Sequence, residues 1–291
     1  MSAVIMDGKA LGAKLRENVK TKCTNLKQKG LTPCLAVVLV GEDSASLSYV
    51  KSKEKALAEA GMESLDFKLP SETTEEKLLS LINDLNKDEK VHGILVQSPV
   101  PKHIDEEKIV ATITPEKDVD CFNPVSVGNM ILGKSGFLPC TPHGVLLLLQ
   151  EYKIPISGSN AVVVGRSNIV GKPLANLLIR REYNATVTLC HTGTKNLAQY
   201  TTQADILIVA AGNPEFVKPQ MVREGATVID VGINRVPDSS APKGYRVCGD
   251  VDPAVAERSA FFSPVPGGVG PMTIAMLLQN VIEAAERRLI K

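Results

Sequence analysis

At 291 residues the chain is long enough for about two domains, and a hydrophobic fraction of 44% is ordinary for a globular protein. A net charge of +1 without a long basic run argues against nucleic acid or an anionic membrane surface as a partner. No apolar stretch approaches a membrane span, and the opening MSAVIMDGKALG lacks the charged start, apolar core and cleavage site of a signal peptide, so a cytoplasmic protein is expected.

In chain order, Lys9 to Lys29 puts Leu11, Leu15, Val19 and Leu26 on one helical stripe that stops at Gly30. Leu35 to Val40 reads as a buried strand, Ser44 to Ala60 as a helix, Leu65 to Leu69 as a strand, Thr73 to Asn86 as a helix and Val91 to Val96 as a third strand. The turn-rich segment Pro139 to Gly144 precedes a helix over Val145 to Tyr152 and marks the main boundary. Beyond it, Ala161 to Val164, Ala185 to Cys190, Ala204 to Ala211 and Ala226 to Val231 are apolar, β-branched runs separated by polar, helix-length segments. Such alternation implies an α/β protein whose C-terminal half is a doubly wound parallel sheet, with its ligand crevice at the carboxyl ends of the strands. Ser263 to Pro271 packs prolines and glycines so densely that neither a helix nor a central strand is expected through it, and Met272 to Ile290 follows as an amphipathic helix. That loop suits either close backbone approach to a ligand or a stiff connector.

The segment NAVVVGRSNIVGKPLANLL (160–178) reads as strand, tight glycine turn and helix. Gly165 and Gly171 bracket the turn and Pro173 suits a first helical turn, where free N–H groups and the dipole would receive a pyrophosphate. Ser167 and Val170 replace the second and third glycines of the dinucleotide fingerprint, so the turn alone fits a plain connection equally well. The second strand ends at Cys190, His191 and Thr192, without the acid that usually holds the ribose hydroxyls of NAD. A guanidinium at Arg166 and no acid favour a 2′-phosphate and hence NADP, the alternative being a solvated surface arginine.

Tyr49 and Lys53 lie four residues apart on one helix, so both project from one face. A phenol and an amine so placed share protons if burial or a neighbouring cation lowers the lysine pKa, while a solvated lysine-rich helix with a tyrosine at its edge is the alternative. Gln97 ends a strand, and Asp118 and Asp120 occupy the loop PEKDVD, positions common in binding sites. Cys23, Cys34, Cys121, Cys140, Cys190 and Cys248 form no C-x-x-C pair, and the four histidines have no zinc-site spacing, so reduced thiols and no metal are expected.

Taken together, YVKSK (49–53), VQSP (96–99), KDVD (117–120), PCTP (139–142), GRSNIVG (165–171) and PVPGGVGPMT (264–273) closely resemble the bifunctional methylenetetrahydrofolate dehydrogenase/methenyltetrahydrofolate cyclohydrolase enzymes, in order and over nearly the whole chain. The resemblance implies a folate-binding catalytic domain (1–143 plus 271–291), completed by the returning last helix, and an NADP-binding Rossmann domain (144–270), with the folate cleft between them. It implies NADP-dependent oxidation of methylene-tetrahydrofolate followed by hydrolysis of the methenyl product to formyl-tetrahydrofolate, in a homodimer. By the same analogy Lys53 is the principal catalytic group, Gln97 tunes it, Tyr49 orients or stacks on the folate and Asp120 grips the pterin. Pro264, Gly267 and Gly268 would wall the folate pocket, and Gly165, Arg166, Ser167, Thr192 and Ile233 would contact NADP.

Two departures stand out: Cys121 where the family commonly has glycine, and Ser98 where leucine is common. The glycine implies either φ > 0 or close approach of the loop to the ligand, and close approach is the reading favoured, with a reactive thiol beside the folate. A short-chain reductase also carries Tyr-x-x-x-Lys, but there the pair follows the nucleotide turn, whereas Tyr49 and Lys53 precede Gly165 by more than a hundred positions. A nucleotide-sensing protein would keep the Gly165 region with no reason to hold Tyr49, Lys53, Gln97 and Asp120.

Overall fold

The computed structural model describes residues 3–242 and 244–289. In chain order the elements are β1 (Val4–Ile5), α1 (Gly8–Gln28), β2 (Cys34–Val40), α2 (Ser44–Glu59), β3 (Glu63–Leu69), α3 (Glu75–Lys87), β4 (Gly93–Val96), α4 (Glu106–Thr112), α5 (Pro124–Ile131) and α6 (Cys140–Glu151). Then come β5 (Asn160–Val164), α7 (Gly171–Leu178), β6 (Thr186–Cys190), α8 (Leu197–Thr201), β7 (Ile206–Val209), β8 (Thr227–Asp230), β9 (Asn234–Pro237), β10 (Tyr245–Cys248), β11 (Phe261–Ser263) and α9 (Val269–Leu289). They form two compact units, one of residues up to Ala13 with Cys140–Thr273, the other of Lys14–Pro139 with the chain from Ile274 onward.

The second of these units is built on a parallel sheet in the order β3-β2-β4. Every residue of the central strand β2 is buried, which is why CLAVVLV reads as an unbroken apolar run, while edge strand β3 alternates. Ala36, Val38 and Val40 meet Leu78, Ile82 and Leu85 of α3 and Ile94 of β4 in one core. Asp43 caps α2 by accepting from Ser46 N at 2.8 Å, and Thr74 caps α3 by accepting from Lys77 N. The last helix returns here as expected: in α9, Asn280 Nδ2 donates to Val119 O (2.7 Å) and Leu138 O (2.9 Å).

The other unit is a six-stranded, wholly parallel sheet in the order β1-β11-β8-β7-β5-β6. From β5 the chain runs outward through β6 on one side and through β7 and β8 on the other, which makes the carboxyl ends of β5 and β7 the switch point of a doubly wound fold. A separate antiparallel hairpin joins β9 and β10. The buried core runs from Val162 and Val164 through Leu207 and Val209 to Val228 and Phe262.

Three local expectations change. The sequence reading gave the whole N-terminus to the first domain, whereas Val4 and Ile5 pair with Phe261 and Phe262, so the first residues cluster with the six-stranded sheet. The turn-rich segment at 139–144 does not merely precede a helix: from Cys140 onward it is the first turns of α6, where Pro142 lacks only an N–H that a first turn leaves unbonded anyway. Similarly α9 begins at Val269, inside the proline- and glycine-rich stretch, with Pro271 in its first turn.

Candidate active site and nucleotide site

Helix α2 carries Tyr49 and Lys53 one turn apart, and the structure brings them together: the Lys53 ammonium lies 4.5 Å from the centroid of the Tyr49 ring. Lys53 is only 6% exposed, so its four-carbon stem is packed. Its Nζ donates to Gln97 Oε1 at 3.2 Å. Gln97 follows β4 directly, and its orientation is fixed from both ends, since its backbone N donates to Val38 O (2.8 Å) and its Nε2 to Ser98 O (2.7 Å). With the amide nitrogen committed to Ser98, the amide oxygen is left facing the amine. The result is a buried amine held against an amide oxygen and an aromatic face, an arrangement that fixes the nitrogen where it can pass a proton.

Asp120 sits half-buried on the loop after Lys117, whose carbonyl accepts from Ile94 N (2.9 Å), so this loop starts beside β4, the strand that Gln97 follows. Sequence reasoning missed what holds it there. The buried Asp118 carboxylate accepts from Phe122 N (3.1 Å) and Asn123 N (2.9 Å), folding the chain tightly around Asp120, and Asn280 pins Val119. Burial raises the Asp118 carboxyl above the ordinary carboxylate range. The buried Lys117 ammonium donates to Leu85 O (2.6 Å) and Asp88 O (2.7 Å) at the end of α3, and burial lowers it to about 8.

The reading of Cys121 as a close-approach position with a reactive thiol gives way to the alternative, a backbone position with φ > 0. Cys121 has φ of 61°, is 0% exposed, and its Sγ donates to Phe137 O at 3.0 Å. Burial first, then the Asp118 and Asp120 charges, push the thiol far up from its ordinary value, which suppresses the reactive thiolate. Glycine suits this position for its φ, and cysteine holds it at the cost of a left-handed conformation. Ser98, the other departure, is exposed and hydrogen-bonds Glu106 at the start of α4.

At the switch point, β5 pairs with β6 so that Val164 faces Cys190, which puts Arg166 and Thr192 each two residues past that pair, at the carboxyl end of the sheet. Both are exposed, as is Ser167, and among the described residues no carboxylate pairs with the Arg166 guanidinium. Ser167 Oγ accepts from Val170 N (3.1 Å) and Gly171 N (3.4 Å), leaving its O–H proton to donate outward. A Cβ on Gly165 would stand 2.0 Å from Ala210 O and one on Gly171 1.9 Å from Gly165 O, so the strand-to-helix turn and the loop after β7 pack backbone to backbone. An exposed guanidinium, two hydroxyls and the start of α7 at a switch point are the donors that a phosphorylated dinucleotide needs, and the chain's residues fit that group.

Pro264, Gly267 and Gly268 form the turn between β11 and α9. Gly268 N donates to Pro264 O (2.8 Å) and Lys9 N donates to Gly267 O (2.9 Å), which fastens the turn to the start of α1. Ile233 is 64% exposed just past β8, with its Cδ1 3.8 Å from where a Cβ on Gly270 would stand, so it lies beside this turn. Two sets of expected residues are thus assembled, Tyr49 with Lys53 and Gln97, and Arg166 with Ser167 and Thr192.

A doubly wound parallel sheet with a glycine turn at its switch point defines the second half as a Rossmann-type domain. The model of the tetrahydrofolate dehydrogenase/cyclohydrolase NAD(P)-binding domain matches residues 139–289, and that of the catalytic domain of the same enzymes matches residues 6–120. The chain belongs to the tetrahydrofolate dehydrogenase/cyclohydrolase family. It is 54% identical to the bifunctional protein FolD of Campylobacter hominis over 286 residues, 98% of each chain. The crystal structure of the bifunctional FolD enzyme of Campylobacter jejuni superposes with a TM-score of 0.94 at 51% identity, over 99% of this chain and 100% of that one. The Trypanosoma brucei enzyme, solved with NADP and an inhibitor, superposes with a TM-score of 0.95 at 38% identity over the full length of both.

Proposed function

We propose that this protein oxidises 5,10-methylenetetrahydrofolate to 5,10-methenyltetrahydrofolate with NADP and then hydrolyses the product to 10-formyltetrahydrofolate. The observation that carries the reading is the buried Lys53, its Nζ 3.2 Å from Gln97 Oε1 and 4.5 Å from the Tyr49 ring centroid. Bound NADP supplies the hydride acceptor. That step needs orientation more than a base, because the neighbouring folate nitrogen lone pair stabilises the cation formed. Hydrolysis needs proton movement: water adds to the cationic methenyl carbon and loses a proton to give a neutral hydroxyl adduct, and as the ring C–N bond breaks the departing nitrogen gains a proton while the hydroxyl gives up its own to become the formyl carbonyl, one proton being released overall. Lys53 Nζ is the group placed to accept and return that proton, with Gln97 holding it, Tyr49 orienting the folate ring and Asp120 gripping the pterin.

Arg166, Ser167 and Thr192 bind the 2′-phosphate, and Gly165 and Ile233 complete the NADP contacts. Pro264, Gly267 and Gly268 wall the folate. In functional terms residues 1–143 and 271–291 serve the folate and residues 144–270 serve NADP. The NADP-bound Trypanosoma brucei relative supports the cofactor assignment. A homodimer fits the family resemblance and is tested by light scattering. No helix among the described residues is long and apolar enough to cross a membrane, and all six cysteines are free and buried, in keeping with a reducing cytoplasm. The deciding experiment supplies methylenetetrahydrofolate with NADP and follows NADPH, methenyl absorbance and formyl product together. NADPH without formyl product would remove the second activity, and neither product would remove the reading.

A further inference from the structure

Two buried aspartates at the carboxyl end of the six-stranded sheet have no part in the site drawn so far. Asp230 closes β8 and is 1% exposed; Asp250 follows β10 and is 0% exposed. The Asp250 carboxylate collects four donors. Its Oδ2 accepts from Ala211 N (2.6 Å) and Gly212 N (2.9 Å), and its Oδ1 from Asn213 N (2.9 Å) and Asn234 Nδ2 (2.8 Å). The three backbone donors are consecutive and belong to the loop after β7, exposed on its outer side and packed through Ala210 against Gly165. Asn234 follows the exposed Ile233. One carboxylate therefore fixes both walls that flank the switch point beyond β7 and β8.

Asp230 in turn holds Asp250. Its Oδ1 accepts from Gly232 N (3.0 Å) and Asp250 N (2.9 Å), and its Oδ2 from Val251 N (3.0 Å). The two carboxylates are seated against glycine backbone: a Cβ on Gly249 would stand 1.8 Å from Asp230 Oδ2, and one on Gly232 2.3 Å from Asp250 Cγ. Burying two carboxylates costs several kcal/mol unless donors satisfy them, and here the donors are the backbone of the very loops that line the crevice. Their negative charge beneath this end disfavours phosphate there, whereas Arg166 draws phosphate to the β5–β6 end.

We infer that Asp250, braced by Asp230, is a positioning residue for the nicotinamide half of NADP, setting the Ala211–Asn213 loop and Ile233 while leaving the phosphate end to Arg166. This rests on the NADP reading above. Asp250→Asn is the sharpest test, because either orientation of the new amide turns an NH2 toward two donors and loses two bonds. NADP and 2′,5′-ADP, which lacks the nicotinamide, would be titrated calorimetrically against the full chain, with hydrogen exchange read at residues 211–213. NADP affinity should fall by about tenfold or more while 2′,5′-ADP affinity stays within about twofold. Exchange at 211–213 should quicken, and hydrolysis of methenyltetrahydrofolate, which consumes no NADP, should persist. Asp230→Asn can keep both Oδ1 bonds and should weaken NADP less. If Asp250→Asn fails to fold, Asn234→Ala removes a single link and should still weaken NADP selectively. Equal loss of NADP and 2′,5′-ADP affinity, or no loss of either, would overturn the inference. Failure of the parent protein to bind NADP at all would instead overturn the cofactor reading.

Discussion

Lys53 and Arg166 are the two cations on which the functional reading turns, and the protein treats them oppositely. Lys53 is 6% exposed, stacked near Tyr49 and hydrogen-bonded to Gln97; Arg166 is exposed at the carboxyl end of the sheet with no carboxylate paired to it among the described residues. The first arrangement suits a group held in one place to meet a reacting atom away from bulk water. The second suits a group that must stay charged and meet a polyanion arriving from water. Proton chemistry is built from packed side chains, and anion binding from displayed donors on a rigid backbone turn.

The comparison breaks most visibly at Lys53. Lys53→Met should depress formyl production by about 10²-fold or more, the usual worth of a positioned proton-transfer group, while dehydrogenase turnover remains measurable and methenyltetrahydrofolate accumulates. Parallel loss of both activities with folate binding intact would deny Lys53 a proton-transfer role. At the other pole, Arg166→Ala should cut the preference for NADP over NAD by about tenfold to a hundredfold, as expected for one charge-assisted contact of 1.5–3 kcal/mol. An unchanged ratio of kcat/KM values would return Arg166 to the solvated surface.

Buried histidines sharpen the contrast between hidden and displayed groups. His92 is lowered to about 4 by burial and then by Arg288 and Lys117, and His143 to about 4 by burial. Both fall below the ordinary 6.5, so their contribution is complete above pH 6.5 and drains away as pH falls through 4. Asp230 works the other way: burial raises it from 3.8 to about 6, and its contribution, whole below 3.8, is lost as pH rises through 6. Two histidines against one aspartate should lower the thermal midpoint by an amount on the order of 5 °C between neutral pH and the acid end of that window. His92→Asn keeps an acceptor for Cys34 N, which His92 Nδ1 now receives at 3.2 Å, and should flatten the slope. A slope identical to that of the parent would dismiss His92 as a contributor.

The smallest effect concerns Cys121. Cys121→Ala keeps the left-handed strain and loses the thiol bond to Phe137, whereas Cys121→Gly sheds the strain as well, so the alanine variant should be the less stable by about 1 kcal/mol. Denaturant midpoints would show it, and an alanine variant as stable as the glycine one would mean that φ is not the reason for glycine in relatives. Thiol reagents should leave native Cys121 untouched.

What the sequence disclosed was whatever has a local period or a local turn. Six of the seven buried residues of β2, the glycine turn at 165–171 and the one-turn spacing of Tyr49 and Lys53 are legible. Two-residue β1 and three-residue β11 were not, because strands so short are defined by their pairing and not by composition. The conformation of Cys121 was framed as one of two possibilities and resolved to the less favoured one, since a single residue's φ leaves no periodic trace. Asp250 was invisible as an organiser because its backbone partners at 211–213 lie far away in sequence.

The pairing of residues 4–5 with 261–262, and the bonds from Asn280 to Val119 and Leu138, carry a consequence for how the protein is made. A ribosome delivers the first strand and the β3-β2-β4 sheet long before the segments that complete them. Neither unit can close its hydrogen bonds until the last part of the chain has emerged, so nascent intermediates must wait with an unpaired edge and an uncovered loop. Maturation is paced by the C-terminal helix, and chains stalled shortly before Asn280 would be natural clients for chaperones or proteases.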